Sequence, residues 1–554
     1  MQLFCSHGKR GLAARRQVAN GHTVKSISAR KLGTLLLGAA LGCGQVAAHG
    51  AGTPEAPAPD PAAAGSGWNA DDTLLPVAPT PPTATESARR GDPSLRLPGA
   101  LLAQSQGAGA APPGQGGSTA SATEFGANRS YGVPALEILG FDFLLNRFNR
   151  RFSGSSDYDV TLKTIRSNLH SSWTQDNDPY KVNQFAHPYQ GSLYHGAARS
   201  AGLDYWTASA YTFAGSVAWE IAGEKTRPAK NDQIASGVAG SFLGEVLFRM
   251  SSLVLEQDST LPQFWREVAA AAISPPTGFN RLAYGNRFDP VFSSRGAHYY
   301  SRLQIGLSGA TRTVQGTSTA HRRGEVLTDY YMAYGLPGQR GYEYTRPFDY
   351  FSFQFTASSA NVFENILTRG MLVGQSYEKG QDFRGIWGLY GSYDYISPQT
   401  YRISSTALSL GTTAQWWLSQ SVALQGTAML GAGYAAVGTL RGGASGEYHY
   451  GVAPQALVAA RVLFGNKVAL EVTAREYFVN NVGSRSVGGH DNIARADVAL
   501  TYRVAKRHSV ALKYLWNRRD ATYSFLGNGT QERSTLGIFY SYDGDDRFGA
   551  VDWR

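Results

Sequence analysis

Three ionisable residues, His187, Glu220 and Asp232, lie in an otherwise apolar part of the chain and could carry chemistry. If the fold buries them together, one imidazole and two carboxylates would suit general acid and base catalysis or the binding of a metal ion. A structural interpretation competes with this one. Asp232 would cap the N-terminus of a helix, and His187 would hydrogen-bond to a neighbouring backbone group. The sequence favours the structural interpretation, because perturbed ionisable groups often belong to structural networks.

Glu245 and Arg249 form a second polar pair in the same region. They are four residues apart, so in a helix they lie on one face and can form an ion pair. We predict a polar cluster at these two positions, with either a structural or a functional role.

Familiar catalytic and metal-binding motifs are absent from the sequence. No Gly-Xaa-Ser-Xaa-Gly turn stands between a strand and a helix, and there is no His-Glu-Xaa-Xaa-His. No phosphate-binding loop ends in Gly-Lys-Ser or Gly-Lys-Thr. Both cysteines, Cys5 and Cys43, lie within the first 48 residues. The sequence therefore predicts no metal site and no cofactor.

The region that holds these residues is rich in Ala, Gly, Leu and Ser and has few turn signals. This pattern predicts a small helical domain over residues 183–275. Four helices are expected in it, at 189–201, 205–223, 232–255 and 262–273. Residues 131–182, just before it, are interpreted as a transition segment with an apolar patch.

Several short motifs in this domain carry a family resemblance. They are the stretch from Asn183 to Gly191, Trp219 with Glu220, Asn231 with Asp232, and Gly244 and Glu245 with Arg249. With these motifs, roughly residues 180 to 275 resemble DUF3943, a bacterial family of unknown function. The resemblance implies a helical segment that precedes an outer-membrane-type barrel, and it implies no particular activity.

After about Ser294 the hydrophobic pattern changes to a period of two residues. Val468, Leu470 and Val472, for example, alternate with polar residues, so one face is apolar and the other polar or charged. We count about twelve such runs, near 298–309, 325–335, 349–359, 361–373, 385–396, 401–415, 421–437, 447–463, 466–480, 492–504, 508–523 and 531–542.

The length of these runs favours strands that cross a membrane. Strands in soluble sheets average about five or six residues, whereas a tilted strand needs about nine to eleven to cross a bilayer. Aromatic residues near the ends of the runs, such as Trp416 and Trp417, suit a girdle at the lipid headgroups. Because lipid cannot satisfy an open sheet edge, a sheet that spans it must close.

The predicted fold class is therefore mostly β. It is an antiparallel transmembrane β-barrel of about twelve strands over residues 295–554, preceded by the small α-helical domain. The alternative is a soluble β-sandwich or barrel that buries the same apolar face against a second sheet.

Charged residues on the polar faces of the runs are expected to face the lumen of such a barrel. These predicted lumen residues are Arg302, Glu471, Arg475, Arg495, Asp497, Arg503, Lys513 and Arg519.

The N-terminal part of the chain indicates export. Residues 1–48 carry seven basic and no acidic residues, followed by a short apolar run that ends in small residues, as in a secretory signal peptide. Residues 49–130 are rich in Pro, Ala and Gly and predict a disordered tether. Without the first 48 residues, 44 basic residues remain against 41 acidic ones, so nucleic-acid binding loses its main support.

The leading functional hypothesis is a bacterial outer-membrane barrel whose helical domain plugs the lumen or docks at its periplasmic mouth, with a structural or transport role. Its partners would be outer-membrane lipid and a small solute, lipid or glycan. One rival is a barrel-embedded hydrolase or acyltransferase that uses His187, Glu220 and Asp232. Another is a surface binding protein or adhesin with long loops at 312–324 or 482–491. The sequence leaves the oligomeric state open.

Overall fold

The computed structural model describes residues 129–176, 178–256, 261–313, 320–398, 400–438, 448–481, 488–523 and 527–553. The predicted signal peptide and almost all of the predicted tether lie outside these residues. Most of the two loops considered for an adhesin also lies outside them.

Twelve antiparallel strands form a closed barrel, in which β1 pairs with β2 on one side and with β12 on the other. Every predicted run coincides with a strand, so the predicted fold class is confirmed. The strands are β1 (Tyr299–Thr313), β2 (Ala320–Tyr334), β3 (Phe351–Ser358), β4 (Asn365–Lys379), β5 (Phe383–Ile396), β6 (Ile403–Trp417), β7 (Val422–Gly438), β8 (Tyr448–Phe464), β9 (Val468–Asn481), β10 (Gly489–Ala505), β11 (His508–Tyr523) and β12 (Gly527–Asp543).

The two ends of the barrel differ. We call the end at which β1 begins and β12 ends the base, and the opposite end the rim. Four of the connections at the base are short turns, at 380–382, 418–421, 465–467 and 506–507. A much longer connection, residues 335–350, joins β2 to β3 there, and we call it the base loop.

Side chains alternate between the two faces of the wall, as a strand requires. On β1, Leu303, Ile305 and Leu307 point outward, and Leu307 is 70% exposed. Arg302 and Gln304, between them, point inward and are buried. The two-residue rhythm of the sequence thus arises from an apolar outer face and a polar lumen.

Seven helices precede the barrel in the described part of the chain. They are α1 (Gly132–Phe152), α2 (Leu162–His170), α3 (His187–Ser200), α4 (Tyr205–Ala222), α5 (Lys230–Glu256), α6 (Gln263–Ile273) and α7 (Pro275–Tyr284). Helix α5 contains a π-helical stretch at Gln233–Ala239, and another at Val182–Ala186 leads into α3.

The four predicted helices correspond to α3, α4, α5 and α6. Residues 131–182, interpreted as a transition segment, instead contain α1 and α2. The apolar patch noted there belongs to α1, which buries Ile138 and Leu145 and exposes other apolar residues. In α2 the side chains of Thr161 and Thr164 form a capping box, a start signal that the sequence interpretation missed.

The helical bundle packs against the outside of the barrel wall. Phe242 of α5 contacts the backbone of β5 at Gly391. Side chains alternate along β5, so Gly391 lies on the same face as Trp387, which is 54% exposed on the outside of the barrel. Asp394 lies on the opposite face. Asp394 faces the lumen, where its carboxylate accepts a hydrogen bond from Tyr477 of β9. The prediction of a plug in the lumen or a domain at its mouth is therefore wrong for the described residues.

Glycines in the outer wall allow the aromatic side chains to approach closely. A Cβ atom at Gly391 would lie 2.5 Å from the ring of Phe242, so a larger residue there would force this ring to shift. A Cβ atom at Gly370 of β4 would collide with the ring of Phe348 from the base loop. Phe348 is fully buried between the wall and the bundle, where it packs on Tyr205 of α4.

Helix α5 runs from the rim to the base along this wall. Near its start, Asn231 donates a hydrogen bond to the Tyr450 hydroxyl near the rim end of β8. Near its end, Arg249 donates to the Pro347 carbonyl in the base loop, at 2.6 Å. Because a helix rises about 1.5 Å per residue, the path from Asn231 to Arg249 is about 27 Å long.

Residues 544–553, which follow β12, fold back into the base of the lumen, and we call them the C-terminal tail. Phe548 and Val551 pack against Trp417 and Leu463 on the inner face of the wall. The Gly549 carbonyl accepts a hydrogen bond from Gln425, and Phe548 and Val551 are each 2% exposed.

Candidate functional site

Glu245 is the centre of a buried charge cluster between α3 and α5. Its carboxylate accepts hydrogen bonds from Arg199 and Arg249, each with an N···O distance of 2.7 Å. The imidazole Nε2 of His195 lies 3.1 Å from the same carboxylate. All four side chains are at most 3% exposed, so the Glu245 carboxylate pairs with two guanidinium groups in a site shielded from bulk solvent. The predicted pair of Glu245 and Arg249 is thus part of a larger network.

Asp349 of the base loop links this cluster to the barrel. Its carboxylate accepts hydrogen bonds from Arg249 at 3.2 Å and from Arg346 at 3.0 Å, and it also pairs with Arg295. Burial opposes ionisation of Asp349, but the guanidinium groups of Arg249, Arg346 and Arg295 outweigh it and hold its pKa below the ordinary value. The ion pairs therefore fix the base loop, and with it Phe348, against the helices.

The three candidate catalytic residues form a looser group. His187 Nε2 lies 3.8 Å from the Asp232 carboxylate, which is too far for a hydrogen bond, while His187 Nδ1 lies 3.1 Å from the Ser236 hydroxyl. The Glu220 carboxylate instead accepts a hydrogen bond from the backbone N–H of Ala229 at 2.8 Å. The catalytic assignment stays a prediction, and none of the lumen cavities described below is lined by these residues.

The structural interpretation of the same residues also changes in detail. Asp232 is not a helix cap, because α5 begins at Lys230 and its N-cap residue, Ala229, has no side-chain cap. Asp232 instead accepts a hydrogen bond from Asn231, whose amide also contacts Tyr450 of the barrel. His187 bonds to a side chain across the bundle rather than to neighbouring backbone.

The lumen contains charged side chains that pair across its width. Glu471 of β9 pairs with Arg302 of β1 and with Arg461 of β8. Lys513 of β11 pairs with Asp329 of β2 at 3.1 Å. Arg461 is the direct cross-strand partner of Glu471, whereas the Glu471–Arg302 and Lys513–Asp329 pairs join strands that are not neighbours in the sheet. These two pairs reduce the free cross-section of the barrel.

The other predicted lumen residues lie at different depths. Arg495 and Asp497 face each other on β10 at 3.4 Å. Arg519 is fully buried and donates a hydrogen bond to Asp491 at 2.7 Å. Arg503 lies at the base, where it donates to the backbone carbonyl of Asp546 in the C-terminal tail.

A cavity of about 140 Å³ lies in the lumen above the C-terminal tail, and we call it the central cavity. Its charged lining consists of the basic residues Arg302, Arg369, Arg461, Arg475 and Lys513 and the acidic residues Glu471 and Asp497. A smaller cavity of about 40 Å³ on the rim side shares Asp497 and Lys513 and adds Asp329, Glu364 and Arg495. The central cavity thus has an excess of positive charge.

Arg475 differs from the other cations of the central cavity. Its Nε and Nη1 atoms are buried and have no hydrogen-bond partner among the residues that the structure describes. Arg369, by comparison, donates to Asp394 at 3.0 Å. Two unsatisfied donors of a guanidinium group are costly in a buried site unless an anion or water accepts from them.

Several residues of these sites were not identified from the sequence. Arg199 and His195 lie on α3 whereas Glu245 lies on α5, and Asp349 lies in the base loop. No rule of sequence spacing therefore connects these four residues. Arg369, Arg461 and Asp394 have the inward parity of their strands and could have been found from the alternation alone. The C-terminal tail gives no sequence signal for a position inside the barrel.

Residues 172–276 match the family model described as Domain of unknown function (DUF3943), which confirms the resemblance of the helical segment. No curated protein matches the chain in sequence. Similar solved structures include the NanC porin, with 8% identity, a TM-score of 0.22 and coverage of 42% of this chain and 98% of that one. The COG4313 outer membrane channel from Pseudomonas putida F1 has 8% identity, a TM-score of 0.24 and coverage of 45% and 95%.

A third similar structure is the translocator domain of autotransporter NalP from Neisseria meningitidis. It has 13% identity, a TM-score of 0.22 and coverage of 45% of this chain and 88% of that one. We draw no inference about activity from these similarities. The barrel fold is established by the strand pairing itself.

Proposed function

We propose that this protein is a bacterial outer-membrane barrel that admits small anionic solutes to its lumen. Its closed antiparallel sheet with an apolar outer face is the form that a β-structure takes in a bilayer. This supports a transport or envelope role in the outer membrane. The presence of Arg475 in the cation-rich central cavity is the observation that makes an anion the preferred solute.

A small carboxylate, phosphate or sulfate group suits this cavity. Its oxygen atoms would accept hydrogen bonds from Nε and Nη1 of Arg475. Arg369 and Lys513 line the same cavity. Five basic residues and two acidic ones line the cavity, and Lys513 and Arg369 are paired with Asp329 and Asp394 outside its lining. The guanidinium group of Arg475 is therefore the charge that disfavours a cation. Rings of Arg and Lys select anions in other pores by the same electrostatics.

Ion selectivity tests the proposal. The purified chain and a variant that ends at Asp543 are placed in a planar bilayer with a KCl gradient, and the reversal potential is measured. We expect an anion-selective current, and a shift of the chloride-to-potassium permeability ratio toward unity in Arg475→Gln. Arg518→Gln is the matched control, because Arg518 is 45% exposed and pairs only with Asp520 among the ion pairs described.

Two results would contradict the proposal. A cation-selective current would refute the preference for anions. Absence of current in both the complete and the shortened chain would leave the structural envelope role as the better interpretation.

A further inference from the structure

Part of the outer surface of the helical bundle, on α1 and α4, is apolar like the bare wall of the barrel. On α1, Leu136, Leu139, Phe143 and Leu144 are all more than half exposed. Between Gly132 and Leu144, every exposed residue of α1 is apolar or glycine. An exposed apolar surface of this kind marks a contact with lipid or with another protein.

A second helix shows the same property. The exposed residues of α4 are Trp206, Ala210, Phe213, Ala214 and Ala222, and none of them is polar. Helices α6 and α7 also expose large apolar side chains, including Trp265 and Leu282. The apolar surface therefore extends over several helices of the bundle.

The exposed polar residues of α1 are confined to one end. Its last turns carry Arg147, Arg150 and Arg151, and the guanidinium group of Arg147 lies 5.2 Å from the ring of Phe143. This end lies toward the rim, because Asn146 contacts the Gly223 carbonyl shortly before α5 begins there. Arginines beside aromatic rings at the end of an apolar stretch are typical of the headgroup level of a membrane.

The length of the bundle matches a bilayer. Helix α5 extends from the rim to the base over about 27 Å, close to the roughly 30 Å of a hydrocarbon core. Among the described residues, Lys230–Glu256 is the one helix that is long and apolar enough to cross a membrane. A core helix can pass the same test, so the position of α5 on the outer wall is the stronger observation.

The interior of the bundle has features of helices packed in lipid. Gly191 of α3 and Gly240 of α5 face each other so closely that a Cβ atom at Gly240 would lie 2.6 Å from the Gly191 Cα atom. Small residues at such crossings let helix backbones touch where no hydrophobic effect drives association. Arg199, Glu245 and Arg249 in the bundle core are paired with one another, as buried charges at bilayer depth must be.

We propose that the helical bundle lies within the outer membrane beside the barrel, with the exposed faces of α1 and α4 in contact with lipid hydrocarbon. The bundle covers the outer faces of β3, β4 and β5, which would otherwise face the bilayer. Its apolar surface continues the exposed belt of β1, β11 and β12, where Leu307, Leu512 and Ile538 are exposed. A partner protein would have to cover this same surface at bilayer depth. The inference rests on the proposed membrane location of the barrel.

Site-specific fluorescence quenching tests this inference. With Cys5 and Cys43 changed to Ser, single variants Leu139→Cys and Phe213→Cys are labelled with bimane in phosphatidylcholine vesicles. Leu307→Cys, midway along β1, reports the barrel belt, and Lys163→Cys on the exposed side of α2 reports water. We expect doxyl lipids to quench positions 139 and 213 as strongly as position 307, and iodide to quench only position 163.

The outcomes distinguish a failure of this inference from a failure of the proposed function. If doxyl lipids quench position 307 while iodide quenches positions 139 and 213, the bundle lies in water and only the inference fails. If iodide also quenches position 307, the membrane location of the barrel fails as well. Protection of positions 139 and 213 from both quenchers would indicate cover by a second copy and would also refute lipid contact.

Discussion

A variant that ends at Asp543 is expected to conduct ions at least about tenfold better than the complete chain, because apolar constrictions close pores to hydrated ions. In the complete chain the tail places Phe548 and Val551 across the base of the lumen, both almost fully buried. Their removal joins the central cavity to the solvent at the base. Single-channel conductance in a planar bilayer measures the effect.

Removal of the tail leaves the barrel itself complete. The pairing of β12 with β1 and β11 extends to Tyr542 and Asp543, so no strand loses its partner. A point variant provides a second test without truncation. The double change Phe548→Asp and Val551→Asp should open the base, because a buried carboxylate without a partner is expelled toward water.

Phe548→Leu is the matched control for this prediction. It keeps an apolar side chain of similar volume in the same contact with Leu463 and Trp417, so the closed base and the low conductance should persist. Equal conductance of the complete chain, the truncated chain and the double Asp variant would show that the tail does not close the lumen.

Replacement of Glu245 by Ala is expected to lower the free energy of unfolding of the helical bundle by about 3–5 kcal/mol, as for other broken buried ion pairs. The change removes the carboxylate that pairs with Arg199 and Arg249, each at 2.7 Å, in the interior of the bundle. Arg249 keeps Asp349 as a partner. Urea titration followed by far-ultraviolet circular dichroism in detergent measures the effect.

Asp520→Asn supplies a matched control for Glu245. Asp520 pairs with Arg518 at 2.7 Å, but both side chains are more than 40% exposed. Solvent screens exposed pairs, so this control should change the unfolding free energy little. An equally small effect of Glu245→Ala would contradict a central role of the cluster in holding the bundle together.

The Arg199→Met, Glu245→Leu, Arg249→Met triple variant separates the pairing from the packing. It removes all three charges at once, so no uncompensated ion stays buried near Glu245, although Asp349 loses one of its partners. Its stability should exceed that of Glu245→Ala, because apolar replacement of a whole buried cluster is often neutral or stabilising. A stability below that of Glu245→Ala would mean that the cluster orders the bundle by its hydrogen bonds rather than by charge balance.

Local rules predicted most of the barrel. The alternation of Val468, Leu470 and Val472 with polar residues follows from the pleat of a strand, and the same rule located all twelve strands. The same alternation predicts that Arg302, Glu471 and Arg475 face the lumen, because charged side chains of a membrane strand lie on its polar face. The spacing of Glu245 and Arg249 similarly follows from the turn of a helix.

These rules do not predict contacts between segments that are far apart in the sequence. Nothing in the spacing of Arg199, Glu245 and Asp349 shows that they share one cluster, because they lie on two helices and a loop. The alternation along β5 marks Gly391, Tyr393 and Tyr395 as outward, but an outward apolar face suits hydrocarbon and a packed helix equally well. Only the tertiary structure shows that α5 covers this part of the wall.

Periodicity and short motifs were enough to predict a closed barrel with a polar interior, a helical domain before it and the family model that this domain matches. The positions of the helices and the closure of the lumen became visible only in the packed molecule. The reason is physical, since periodicity records how polar each face is but not which apolar surface meets it. The C-terminal tail is the clearest case, because Phe548 and Val551 have no periodic pattern and acquire their position only from the lumen that surrounds them.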